Sequence, residues 1–177
     1  WTGLEQIALL GDSGRALSFL FGRFSEDGWL GYFPAAFAVK TPLVLIALLL
    51  VAAIVLLANR ATRRRAAFLL LAAGAFYLLA MQSALNIGYR HVLPALPFLL
   101  LLVSGLAAPE LAAAGRRWAR PAAVVGAVAT ILVALWIHPH YLSYFNAAAG
   151  GPANGYRVLT DSNVDWGQDL LRLQDWM

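Results

Sequence analysis

Of 177 residues, 61% are hydrophobic and 12% charged. A soluble domain carries about a quarter charged residues, so the surplus apolar surface calls for a solvent other than water. The absence of cysteine excludes disulfides and thiolate chemistry, and the net charge of +4 is distributed in a way that argues against a nucleic-acid partner.

Residues 1–40 read as an outer segment of short helices and turns. Ser25-Glu26-Asp27-Gly28 is a turn, and Trp29, Tyr32 and Phe33 after it form an aromatic group suited to a membrane–water interface. Four uncharged runs follow: Thr41–Asn59, Ala66–Tyr89, Val92–Pro109 and Pro121–Ile137. A bilayer core of ~30 Å takes about 20 helical residues. All four runs are near that length, and they lack the alternation of barrel strands. The expected architecture is all-α and polytopic, with transmembrane helices over about 41–59, 66–86, 92–109 and 121–137. Thr41 is expected to cap the first, with Pro42 in its opening turn. Pro94 and Pro97 predict a kinked or unwound start to the third. In the fourth, Ala122, Gly126 and Thr130 make a small-residue stripe that lets another helix approach. Residues 138–177 form an outer C-terminal segment, the expected start of a soluble region. A helix is expected from Ser162 or Asn163, with Asp165 in its first turn and Trp166, Leu170, Leu173 and Met177 on one face. The opening at Trp1 without a basic leader, and the close at Met177 inside this helix, read as a piece of a longer polypeptide.

The charges sort by loop. Arg60, Arg63, Arg64 and Arg65 lie between the first and second runs, and Arg116, Arg117 and Arg120 between the third and fourth, with Glu110 the only acid among them. Short arginine-rich loops stay in the cytoplasm. The expected protein therefore sits in the cell (inner) membrane with both ends on the periplasmic or extracellular side.

No Asp, Glu, Lys, Arg or His falls inside the four runs, which disfavours a proton-coupled transporter. Polar chemistry gathers at the outer ends instead. Lys40, Arg90 and His91 either snorkel to headgroups or bind a specific anion, such as the phosphate of a lipid carrier, which suits an arginine fork. His138 and His140 are an interfacial belt in the plainer reading, hydrogen-bonding groups toward a headgroup or sugar in the second, and zinc ligands in the least supported. Asp161 to Asp169 superficially resembles a calcium loop, but Trp166 and Arg172 stand where Gly and Glu are needed. A capped helix start or an acidic, substrate-facing loop both remain open there.

Several stretches occur together in order: Gly28-Trp29-Leu30-Gly31-Tyr32-Phe33-Pro34 with Lys40-Thr41-Pro42; Asn86-Ile87-Gly88-Tyr89-Arg90-His91; His138-Pro139-His140-Tyr141-Leu142-Ser143-Tyr144-Phe145-Asn146; Gly150-Gly151-Pro152; and Asp161-Ser162-Asn163-Val164-Asp165-Trp166-Gly167-Gln168-Asp169. This set resembles the C-terminal half of bacterial membrane glycosyltransferases related to the dolichyl-phosphate-mannose protein mannosyltransferases, of the GT-C fold. The resemblance implies transfer of a sugar from a polyprenyl-phosphate carrier to a protein, lipid or glycan acceptor outside the cytoplasm. It implies lipid-phosphate contacts at Arg90, His91 and Lys40. Substrate-facing positions would be His138, His140, Tyr141, Asn146, Asp161, Asn163, Asp165 and Trp166. The catalytic acid of that family lies in a first outer loop that this sequence does not carry, and the surroundings of Asp12, Glu26 and Asp27 do not match it. The chain alone is thus expected to be inactive. The implied partners are membrane lipid, the lipid-linked sugar donor, the acceptor and the rest of its own polypeptide. No other cofactor is implied, and metal dependence stays open. The competing classes are a non-catalytic scaffold or carrier-binding subunit, and part of a transporter or flippase.

Overall fold

A computed structural model describes residues 18–82, 86 and 88–177, without the side chains of Asp161 and Leu171. Asp12 and the end of the second expected span, residues 83–85, therefore lie outside the described residues. The chain is mostly helical. The described residues open with an antiparallel hairpin, β1 (Ser18–Leu20) and β2 (Arg23–Ser25), where only helices and turns were expected. Phe21 and Gly22, both at positive φ (48° and 78°), turn the hairpin in the sense that suits strand twist. The amide of Phe21 donates to Val158 O at 3.0 Å, tying the hairpin to the C-terminal segment.

Helix α1 (Tyr32–Lys40) meets α2 (Leu43–Ala58) at an angle of 113°. The joint corrects one expectation. Thr41 does not cap α2 but ends α1, with φ −98° and ψ 136°. A residue before proline is pushed out of the helical region, and Pro42 takes the capping place. A turn over 59–62 is closed by Thr62 Oγ1 donating to Leu56 O at 2.8 Å and leads to α3 (Arg63–Met81). The next element starts as a 3₁₀ helix over Tyr89–Ala95, continues as α4 (Leu96–Ser104), and tightens again over Gly105–Ala107 before the short α5 (Pro109–Ala113). Pro94 lies inside that opening 3₁₀ turn, in keeping with an unwound start. Helix α6 (Ala119–Ile137) follows, then a series of single 3₁₀ turns, then α7 (Leu170–Trp176). The final helix thus starts later than Ser162 or Asn163. Gly167, at φ 77°, breaks any helix through 163–169, and Asp165 spends its carboxylate on the Gly167 amide at 2.8 Å.

Two cores result. In the first, α2, α3, α4 and α6 bury Leu48, Ala52, Leu56, Leu102, Leu106 and Ala123 among themselves. Gly126 packs closely into it, since a Cβ there would stand 2.3 Å from Leu48 Cδ1; of the expected stripe only Gly126 is buried, alongside Ala119 and Ala123 rather than Ala122 and Thr130. The second core joins α1, the 3₁₀ segment and the C-terminal turns through Tyr32, Phe33, Ala36, Val92, Phe145 and Leu159. The outer surface of the bundle stays apolar, with Leu50, Ile54, Phe68, Leu71, Leu79, Val125 and Leu135 all exposed. Only 11% of the apolar stretches of α3 and α6 is buried inside the protein, and exposed apolar surface of that extent marks a membrane or partner contact. Three helical stretches, Arg63–Met81, Tyr89–Ala113 and Ala119–Ile137, are long and apolar enough to cross a membrane; the bent α1–α2 pair makes a fourth if counted as one.

The bundle has two chemically distinct ends. At one, Arg65 pairs with Glu110 at 3.3 Å and Arg116 donates to Val55 O at 3.4 Å, so both arginine loops meet there. At the other end lie Lys40, Arg90 and the segment after α6.

Candidate functional site

The second end holds a cavity of about 310 Å³ whose wall includes Lys40, Arg90, Tyr141, Ser162, Asn163 and Trp166. Three distant parts of the chain converge on it. Lys40 comes from the last turn of α1, Arg90 from the 3₁₀ turns that precede α4, and the others from the C-terminal turns.

Asn163 holds the site together. It is buried to 1% exposure; its Nδ2 donates to the Tyr32 hydroxyl at 2.6 Å and to Thr160 O at 3.2 Å, and its Oδ1 accepts from the Tyr89 amide at 2.9 Å. Its backbone carbonyl accepts a short bond from Lys40 Nζ. Lys40 also donates to Leu142 O at 2.7 Å and stands 3.8 Å from the Phe145 ring centroid. Two carbonyls and an aromatic face receive the ammonium, but burial works against its charge and lowers its pKa from the ordinary lysine value to about 7, and most of its donors brace the chain. Arg90 differs: it is exposed, with its guanidinium 4.7 Å from the Trp166 ring centroid. Among the polar residues on the wall, it is best placed to grip an anion from solvent.

The remaining candidates scatter. Successive residues of a 3₁₀ helix point about 120° apart, so His91 does not share the Arg90 position. It lies edge-on to Phe33, 6.1 Å between centroids. His138 Nδ1 bonds the Tyr141 hydroxyl at 3.0 Å, whereas His140 Nε2 faces Arg172 NH1 at 3.2 Å. Arginine has only donors, so that imidazole nitrogen accepts. The two histidines serve different partners, and no group of three or more possible metal ligands occurs among the described residues. Asn146, 2% exposed, turns inward: its Nδ2 donates to Ala38 O at 2.6 Å and Thr41 O at 2.9 Å, and its Oδ1 caps the amides of Ala148 and Ala149. Asp165 braces its own turn. The side chain of Asp161 lies outside the described residues.

Sequence reasoning passed over Tyr89, Leu93, Leu142 and Ser162 on the cavity wall. The position of Tyr89 beside Arg90 was the available signal, and its hydroxyl lies 3.4 Å from Thr41 Oγ1. No family model, curated protein or solved structure matches the chain.

Proposed function

We propose that this chain forms the carrier-binding part of an integral membrane glycosyltransferase, one that moves a sugar from a polyprenyl-phosphate carrier to an acceptor on the outer face of the membrane. The observation that carries the reading is the cavity where Lys40 and Arg90 meet at one end of an apolar bundle. Such a place suits an amphipathic anion. Its phosphate would meet the cations, and its prenyl chain would lie along surfaces such as those around Leu50 and Leu79, which are already exposed and apolar.

The chemistry asked of the site is electrostatic. As the bond from the anomeric carbon to the phosphate oxygen breaks, charge grows on the departing lipid phosphate while the acceptor oxygen bonds the same carbon and gives up its proton. Fixed cations at the phosphate lower the cost of that charge. Arg90 is assigned the contact with the phosphate, and Lys40 a supporting positive potential. The base that takes the acceptor's proton is assigned to no residue of this chain, so on its own the chain binds the carrier without turning it over.

The test uses farnesyl phosphate as a soluble prenyl phosphate, with the purified chain in lipid nanodiscs and calorimetry as readout. Farnesyl phosphate should bind and farnesol should not. Arg90→Ala should weaken binding about 10- to 100-fold, the worth of a charge-assisted hydrogen bond, with the melting temperature unchanged. Equal binding of farnesol, or an unaffected Arg90→Ala variant, would return Arg90 to ordinary headgroup snorkelling and leave a membrane scaffold as the better reading.

A further inference from the structure

We infer that Trp166 is a positioning residue for Arg90, and that the Asp165-Trp166-Gly167-Gln168 turn is built to seat its indole against that guanidinium. The inference rests on the carrier-phosphate reading and deepens it.

The turn braces itself. Asp165 Oδ1 accepts the Gly167 amide at 2.8 Å, Gln168 Oε1 accepts the Trp166 amide at 2.7 Å, and Gln168 Nε2 returns a bond to Val164 O at 3.4 Å. Gly167 supplies the left-handed φ of 77° that closes the loop. Two polar side chains that could have faced a substrate are thereby engaged by backbone four residues away or fewer. The indole alone leaves the turn toward the cavity, where it meets Arg90 at 4.7 Å.

The other partner is anchored to the same point. Asn163 Oδ1 holds the amide of Tyr89, the residue before Arg90, while Asn163 itself lies three residues before Trp166. One buried amide therefore sets the register between the guanidinium and the indole over which it lies. An arginine side chain is long and flexible. Stacking its plane on an aromatic face removes much of that freedom and leaves the N–H edge, which lies in the plane, for a phosphate. Ordering the donor before the ligand arrives lowers the cost of binding. The indole acts through Arg90 rather than on the phosphate.

The test is farnesyl phosphate calorimetry on the purified chain in nanodiscs, with Trp166→Leu (similar bulk, no π face) and Trp166→Phe (π face retained). Trp166→Leu should bind about 3- to 10-fold more weakly, as expected for loss of a cation–π stack, while Trp166→Phe stays near wild type. The Arg90→Ala/Trp166→Leu double variant should bind no worse than Arg90→Ala. Wild-type binding by Trp166→Leu, beside a weakened Arg90→Ala, would overturn the positioning role and leave the phosphate reading standing. A further loss in the double variant would overturn it too, because the indole would then touch the ligand itself. Absence of phosphate-dependent binding in the wild type would defeat the carrier reading and this inference with it.

Discussion

Asn163→Ala is expected to be among the most destabilising single substitutions in the half of the protein that holds the cavity. The Tyr89 amide loses its acceptor and the Tyr32 hydroxyl loses one of its bonds, next to a position that is 1% exposed. A buried amide left unpaired costs about 1–3 kcal/mol. The damage should spread, because the same residue ties α1 to the 3₁₀ turns that precede α4 and supplies, through its carbonyl, a seat for Lys40. Thermal unfolding in detergent, followed by tryptophan fluorescence, should show a clear fall in melting temperature. A melting temperature equal to wild type would mean that water replaces these bonds without cost, and that Asn163 is free to face a substrate after all.

Gly155→Ala acts on the same core by overpacking. A Cβ at that position would lie 2.0 and 2.2 Å from Phe145 Cδ2 and Cε2, far inside van der Waals contact. Phe145 is 2% exposed, and the Lys40 ammonium lies over its ring, so the ring cannot swing out without displacing the cation. Overpacking of this kind costs about 1–3 kcal/mol, and here the strain should also reach the cavity. Reduced melting temperature together with weaker farnesyl phosphate binding is the expected result. Gly74→Ala, where nothing lies within 4 Å, is the control and should leave both unchanged or gain slightly from helix propensity. If both alanine variants behave alike, the close Gly155–Phe145 packing does not matter to the site.

The helices were legible because lipid-length apolar runs are conspicuous; their limits were less so. Helix α3 begins at Arg63 rather than Ala66, and α6 at Ala119 rather than Pro121. An absence of charge marks apolar surface, while backbone hydrogen bonding carries a helix on through an arginine at its end. The outer cations could be picked out singly by charge. Their meeting could not, since Lys40 and Asn163 are joined only by the fold. Asn146 and Asn163 show the sharper limit. A polar residue beside a site can face the substrate or brace the chain, and its identity is the same in both cases. Both turned out to brace. His91 was separated from Arg90 by the 3₁₀ path of the backbone, a conformation that the two prolines hinted at without fixing which side chain would face the cavity.

Everything proposed for the cavity requires that it open on the outer side of the membrane, with the arginine loops inside. Because the sequence contains no cysteine, single cysteines report their own side cleanly. Ala61, beside the Arg60 and Arg63–Arg65 cluster, and Ala153, in the C-terminal turns, are both exposed. A membrane-impermeant maleimide applied to intact cells should label Ala153→Cys and spare Ala61→Cys until the membrane is opened. Labelling of Ala61→Cys with protection of Ala153→Cys would place the cavity in the cytoplasm and contradict an outward-facing carrier site.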